Sequence, residues 1–586
     1  MNYKFTKDLS EHFGIPVTAE LCPPNFNADL TVNCFVFARE LKKNPMEVAS
    51  EIHDILAAHE DIASVETVKA FVNVTLKTEA LMRDTVADQN ALLESIKLPK
   101  EERRRILIEF SAPNTNKPQH LGHVRNNCIG MATSSILEAA GHDVIRVNLV
   151  NDRGIHICKS MIAYQRFGNN TTPQLAGKKG DHLVGDFYVA YDKEYKRQVA
   201  ELKAARPELE GKDDDELFLE TEIGKATQEM LQAWENNDPE VRKLWSTMNQ
   251  WVFDGFDQTY KRMGVHFDKL YLESQTYMLG KDIIADGLKR GVFKLREDGA
   301  TIIEFSDPSL GTKVVLRKDG TSVYVTQDIG TTLLKQKDFN PDQQIWVVAD
   351  EQIRHFKVLF EILKSLGYSW ADNLTHMAYG MVNLPTGKMK SREGTVVDAD
   401  DLMDEMESLA KEATLERSGD TAIDNLDERA KVISLAALKF MLLKVNPKTT
   451  IKFDPQASLK CEGDTGPYVL YAYARISSML RKAGIESSTE AVDWSLLTDA
   501  AEHKLAIRCA FFADAVQRAA RDLDSSALAG YLLDLAKDFS SFYRNCSVLN
   551  ADSEALKNAR LALSARVRAI LKTGLNALTI NTLESM

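Results

Sequence analysis

No apolar run in this chain approaches the roughly 18 residues that cross a bilayer. That argues against a helical membrane span, and no membrane partner is expected. The first residues, Met-Asn-Tyr-Lys-Phe-Thr-Lys-Asp, lack the apolar centre of a secretory signal, so a cytoplasmic location is expected. Cysteine is sparse and scattered over Cys22, Cys34, Cys128, Cys158, Cys461, Cys509 and Cys546, with no Cys-x-x-Cys pair and no Cys/His cluster. A disulfide framework and a structural zinc site are therefore disfavoured, and no protein-bound structural metal is expected. Neither Gly-x-Gly-x-x-Gly nor Gly-x-x-x-x-Gly-Lys-Ser/Thr occurs, which leaves dinucleotide and P-loop chemistry without support. Basic charge is also short. The net charge of −13 argues by itself against a nucleic-acid partner, although a local basic surface can hide in such a sum. Arg475, Arg481 and Lys482 form one such cluster; Lys69, Lys77 and Arg83 are scattered near a second candidate surface.

What is present reads as a globular protein of 586 residues, 44% hydrophobic and 27% charged. That length suggests about three or four domains. Residues 1 to about 98 alternate helical stretches with a β-like run from Ala70 to Leu76, where apolar and polar positions alternate. Asn27 to Asn33 reads as a polar turn ahead of a helix, and Lys97 to Arg105 as a charged hinge. From Arg105 to about Ala399, β-like runs at 106–110, 144–150, 345–349 and 378–382 alternate with helical patterns, the mark of a parallel sheet with crossovers. The interval from Asn169 to Asp268 is rich in charge and helix formers, as helical insertions on that sheet would be. Beyond Asp400 apolar residues recur at three- and four-residue spacing, as in Leu435, Leu438 and Leu442, which predicts helices.

Residues 110 to 123 read Phe-Ser-Ala-Pro-Asn-Thr-Asn-Lys-Pro-Gln-His-Leu-Gly-His. They follow the apolar run Ile106-Leu107-Ile108 and precede a long helical pattern from Val124 to Ala140. A strand, a proline-broken loop and a helix N-terminus together place an anion against free backbone N–H groups. His120 and His123 add donors that can follow developing charge on a phosphate, and Gly122 leaves room for a flat ring to approach the backbone. Alone, His-x-Gly-His is weak and fits histidines that merely cap a helix. A second element far downstream, Gly387-Lys388-Met389-Lys390-Ser391-Arg392-Glu393-Gly394, changes the balance.

Together the two resemble the paired signatures of class I aminoacyl-tRNA synthetases, and Ser-x-Pro-Asn-x-x-Lys-Pro-x-His-x-Gly-His is similar to the arginyl-tRNA synthetase version. The resemblance implies a multidomain α/β protein with a Rossmann-like parallel-sheet catalytic domain, a small α+β N-terminal domain and an all-helical C-terminal anticodon-binding domain. The corresponding segments are an N-terminal tRNA-binding domain at 1–98, a catalytic domain at 99–399 with helical insertions at about 169–268, a helical connector at 400–460 and an anticodon-binding domain at 461–586. It further implies ATP-dependent activation of L-arginine and transfer to tRNA(Arg), with Mg2+ accompanying ATP, in a monomer. Activation in this family usually requires tRNA.

Residue by residue, the resemblance implies that His120, His123, Lys388 and Arg392 stabilise the reacting phosphates, with Gly122 and Met389 also lining the ATP site. The second catalytic lysine of the general pattern falls here on Ser391, and Lys117, just before the first signature, is the candidate substitute. Glu109, Tyr324 and Asp328 match positions that read the guanidinium, whose five-donor fork suits bidentate carboxylates. Asn114 and Gln352 match those that hold the α-amino and carboxylate ends. If left unpaired, buried Glu109 and Asp328 would disfavour neutral amino acids. Phe71 and Asn73 are candidate contacts to the tRNA elbow, although a lone aromatic such as Phe71 reads equally well as core. Tyr471 and Arg475 suit a base stacked on a ring beside a guanidinium. Asn151-Asp152-Arg153-Gly154 also resembles a family block without an assignable role, and His355 and His156 read as packing residues.

Other readings fit less well. A glutamate or glutamine enzyme would favour basic or amide partners over Glu109 and Asp328, and a cysteine enzyme would carry zinc ligands. An RNA-binding regulator without catalysis need not keep His120, Gly122, His123 and Lys388, and a small nucleotidyltransferase of the pantothenate-ligase type would not need the long helical C-terminal third.

Overall fold

Apolar residues on alternate positions of the N-terminal segment close an antiparallel sheet of β1 (Glu20–Leu21), β2 (Leu30–Asn33), β3 (Ile62–Val68) and β4 (Phe71–Leu76), in the order β1-β2-β4-β3. The computed structural model describes residues 3–23, 26, 28–83, 87–383, 397–418, 424–484 and 492–586. The stretch ending at Asn33 corrects the expectation of a turn. Leu30, Thr31 and Val32 are all buried, and β2 lies between β1 and β4. Its four residues are too few to show an alternation. Asn33 does start the next helix, since its side chain accepts the Phe35 N–H at 3.2 Å.

The larger sheet is parallel and contains β5 (Arg105–Glu109), β6 (Asp143–Val150), β7 (Lys269–Leu272), β11 (Gln343–Ala349) and β12 (Leu374–Tyr379), in the order β12-β11-β5-β6-β7. Between β7 and β11 the chain forms a small antiparallel sheet of β8 (Lys294–Leu295), β9 (Thr301–Glu304) and β10 (Thr312–Leu316). Ile106, Leu107 and Ile108 are buried, as a central strand covered on both faces requires. Strand order reverses between β5 and β11, so a crevice opens beyond their C-terminal ends. The run expected at 378–382 divides: β12 ends at Tyr379, and β13 (Val382–Asn383) pairs instead with β14 (Ile451–Lys452). Gly380 makes the break possible, because a Cβ there would come within 2.7–2.8 Å of backbone atoms at Lys448–Thr450.

The Leu121–Ala139 helix covers β5 so closely that a Cβ at Gly130 would fall 2.2 Å from the Phe110 ring. Between β6 and β7 stand the helices Ile155–Phe167, Gly180–Ala205, Glu222–Glu235 and Pro239–Met263. Among the described residues after β13, β14 is the one strand and the other elements are helices. Ala399–Ser418 and Leu426–Leu443 come first, then Gly466–Lys482, Ala500–Ala510, Phe512–Asp522, Ser525–Asn545 and Glu554–Ala577.

Candidate active site

The loop after β5 begins in a conformation that side chains resist, with Ser111 at φ 79° and Ala112 at φ 46°. Two asparagines hold it. Asn126 accepts the Ser111 N–H at 2.5 Å and donates to the Val347 carbonyl at 2.8 Å, while Asn148 accepts the Ala112 N–H at 2.9 Å. The Ser111 hydroxyl meets the Tyr260 hydroxyl at 2.6 Å. Asn114 is exposed and forms a bridge with Asn151, with the Thr115 N–H donating to the Asn151 carbonyl at 3.0 Å. The Asn151–Gly154 block thus acquires a role that sequence reasoning could not assign. Its first residue extends β6 to brace the loop, and the buried Asp152 carboxylate accepts the Ser274 N–H at 2.8 Å and hydroxyl at 2.6 Å. Arg153 stacks 3.9 Å from the Tyr277 ring and pairs with Glu235 at 2.9 Å.

His120 and His123 both take part in capping the Leu121–Ala139 helix, and both are half-buried. The Gly122 N–H donates to His120 Nδ1 at 3.1 Å, and the His120 N–H donates to His123 Nδ1 at 3.2 Å. With each Nδ1 accepting, the neutral rings carry their proton on Nε2. Burial, then the nearby Lys117, lowers the His120 imidazole to about 4. Burial, then His120 and Lys117, holds His123 well below the ordinary imidazole range. The pair is therefore two neutral N–H donors at neutral pH, with rings 4.0 Å apart and the Lys117 ammonium beside them. Gly122 matters sterically, since a Cβ would lie 2.9 Å from His120 Cε1.

The second signature, with Lys388, Met389 and Arg392, lies outside the described residues. Both flanks return to the first. Arg125, fully buried, donates to the carbonyls of Met381 at 2.7 Å, Pro447 at 3.0 Å and Thr449 at 2.7 Å. Downstream, the Leu121 N–H donates to the Val397 carbonyl and the Ala399 N–H to the Gln119 carbonyl, each at 2.9 Å.

The acids expected to read a guanidinium already have partners. Glu109, at the end of β5, forms an ion pair with Lys335 of the Tyr324–Phe339 helix. The pair compensates a carboxylate that would be costly at that depth if left alone. Asp328 Oδ2 lies 2.6 Å from His355 Nε2, so this imidazole, read from sequence as a packing residue, also bonds a carboxylate. Tyr324 is 79% exposed at the start of its helix, one turn before Asp328. Gln352 is exposed just past the end of β11. Glu273 was missed. Burial raises its carboxyl, and Arg153, Asp152 and Asp328 all lie close enough to act on its charge. No motif marked it, since its neighbours come from the loop after β6 and from the Tyr324–Phe339 helix.

At the surfaces expected to meet tRNA, Phe71 is partly exposed and its ring meets the exposed Phe35 ring edge-on at 5.8 Å. Asn73 is only 2% exposed, which places it beneath the surface. Arg475 lies 4.5 Å from the Tyr471 ring and 5.2 Å from Tyr543, and both tyrosines are exposed. Tyr473 and Tyr468, on the same Gly466–Lys482 helix as Tyr471, bond to Glu584 and Ser540. Among the described residues one group has metal-ligand spacing, Asp181, His182 and Asp400. There the Lys179 ammonium lies 3.0 Å from Asp181 and 2.6 Å from Asp400 and supplies the cation itself.

A parallel sheet with a His-x-Gly-His loop at its switch point, followed by a helical C-terminal domain, is the layout of a class I aminoacyl-tRNA synthetase. Three family models match in order: the arginyl tRNA synthetase N-terminal domain over residues 6–76, the catalytic domain of class I (R) tRNA synthetases over 87–454, and the DALR anticodon binding domain over 469–586. The chain is 44% identical to the arginine–tRNA ligase of Phocaeicola vulgatus, covering 96% of this chain and 94% of that protein. It is 42% identical to the arginine–tRNA ligase of Parabacteroides distasonis, covering 99% and 98%. The Thermus thermophilus arginyl-tRNA synthetase superposes with a TM-score of 0.80 at 27% identity over 100% of this chain and 99% of that one. The chain belongs to the arginyl-tRNA synthetase family.

Proposed function

We infer that this chain is an arginine–tRNA ligase that activates L-arginine with ATP and transfers it to tRNA(Arg), releasing AMP and pyrophosphate. The observation that carries the reading is the capped pair His120 and His123, two neutral N–H donors at a helix N-terminus beside Lys117. In the activation step the arginine carboxylate attacks the α-phosphate and pyrophosphate leaves. Charge grows on the phosphate oxygens as it does so. Positioned donors can meet that charge without a protein nucleophile. In the transfer step the terminal ribose hydroxyl of tRNA attacks the adenylate carbonyl and AMP leaves.

The roles we assign follow from that chemistry. His120, His123 and Gly122 bind ATP with Lys388 and Met389, and Lys117 and Arg392 supply the remaining positive charge. Asn114 and Gln352 hold the arginine backbone ends, while Tyr324, Asp328 and Glu109 face its guanidinium, helped by Glu273. Mg2+ would accompany ATP as part of the substrate and would supply further positive charge to its phosphates. Phe71 with Phe35, and Tyr471 with Arg475, contact tRNA, Asn73 supporting the first surface from below. The segments at 1–98, 99–399, 400–460 and 461–586 divide the work in that order, in a cytoplasmic monomer.

Pyrophosphate exchange with arginine and ATP, run with and without tRNA beside Asp328→Ala, tests this. Exchange should require tRNA, be specific for arginine and collapse in the variant. Exchange with a different amino acid would overturn the pocket.

A further inference from the structure

We propose that His355 is a positioning residue of the arginine pocket, sharing the Asp328 carboxylate with the substrate guanidinium and, when protonated, competing with it. The inference rests on Asp328 being a guanidinium partner. His355 Nε2 lies 2.6 Å from Asp328 Oδ2, and the two side chains come from different helices, Tyr324–Phe339 and Ile353–Ser365. Both are about one-third exposed, at 29% for His355 and 33% for Asp328, so the carboxylate can be approached from the crevice while one oxygen is held. The Phe356 ring meets the imidazole edge-on at 5.7 Å.

The charged surroundings favour a proton on His355. Its hydrogen bond to Asp328 raises the imidazole above its ordinary value, against the opposing effect of burial. His376 on β12 lies close enough to interact with it and is itself lowered, first by its own burial. Asp350 acts on His376, and Glu273 is near enough for Asp328, Arg153 and Asp152 to act on its charge. Neutral His355 still donates from Nε2, fixing the carboxylate and leaving Oδ1 for the substrate. Protonated His355 neutralises the carboxylate that the guanidinium needs, and two cations then crowd one anion.

The sign follows from linkage. Free enzyme binds the proton more readily than arginine-bound enzyme, so arginine binding expels it. Affinity is full above the raised imidazole value and declines as pH falls through it, by at most about tenfold per pH unit.

The test is steady-state aminoacylation by the full chain from about pH 6 to 8.5, the range in which histidine titrates, with wild type, His355→Gln and Asp328→Asn. In wild type the arginine KM should rise about three- to tenfold from the top of the range to the bottom, while kcat and the ATP KM change less. His355→Gln, which keeps an N–H donor, should flatten the arginine KM profile. An unchanged slope in that variant would overturn the inference. Asp328→Asn separates it from the reading beneath: an unaltered arginine KM there would remove Asp328 from the pocket, whereas a large rise there with the slope intact in His355→Gln would sink only the role of His355. Should His355→Gln fail to fold, calorimetric titration of wild type with arginine in two buffers of different ionisation heat decides. Net proton release near neutral pH is expected, and none would overturn the inference.

Discussion

Lys335 is 1% exposed, its ammonium meets a Glu109 that is 6% exposed, and the Trp346 ring lies 5.3 Å away. A pair at that depth contributes little relative to an apolar replacement, but removing one member strands the other. Lys335→Met should therefore destabilise the catalytic domain by about 3–5 kcal/mol, and adding Glu109→Gln should recover most of it. Thermal unfolding of both variants checks this, and equal stability of single and double variants would refute it. His120 carries a different prediction at this scale. Its folded value of about 4 lies below the 6.5 of a free imidazole, so the unfolded chain binds the proton first as pH falls. Stability from this group is complete above about pH 6.5 and is lost between there and about pH 4. His120→Asn, which keeps a good cap, should show a smaller loss in melting temperature over that window. The chemistry of His120 was legible because its partners, Gly122 and His123, are neighbours in sequence. The partners of Glu109 and Asp328 were hidden, since Lys335 lies more than 200 positions beyond Glu109 and His355 lies 27 positions beyond Asp328, with β11 between their helices.

At the scale of elements, the connection from β5 to the Leu121–Ala139 helix stores strain that other elements must hold. Two consecutive left-handed residues, Ser111 and Ala112, cost about 1–2 kcal/mol each. Asn126 offsets this from the helix by bonding both the Ser111 N–H and the Val347 carbonyl of β11. Asn126→Ala leaves two buried backbone groups unpaired, at a cost of about 1–3 kcal/mol. We expect a lower melting temperature together with a fall in kcat, because His120 and Lys117 sit on the released loop. A stability loss with kcat intact would mean that the helix cap alone positions the histidines. Long apolar strands such as β5, β6 and β11 were legible from their patterns. β7 was not, since Lys-Leu-Tyr-Leu is too short to show a period, and only pairing of Val147–Val150 with Lys269–Leu272 makes it a strand.

For the whole molecule, the two proposed tRNA surfaces stand on different domains, Phe71 on the N-terminal sheet and Tyr471 on the C-terminal helices, so their relative placement sets how well one tRNA can span both. Three groups of contacts fix it. His503 Nε2 lies 2.9 Å from Asp29 Oδ2, and its Nδ1 lies 2.9 Å from the Thr78 hydroxyl. Arg566 donates to the Ala87 carbonyl at 2.9 Å and the Gln89 side chain at 3.0 Å, and Gln517 donates to the Ser95 carbonyl at 3.1 Å. When one partner binds two linked sites, the second contact forms at an effective concentration set by the geometry of the link. Loosening the link spreads the second site over more positions and weakens the whole without changing either contact. His503→Ala should therefore raise the tRNA KM by about threefold or more while leaving the arginine and ATP KM values unchanged. Combining it with Arg566→Met should add to the effect and enlarge the radius of gyration in solution scattering. An unchanged tRNA KM in the double variant would mean that the catalytic domain alone sets the register between the two surfaces, and that His503 merely satisfies Asp29.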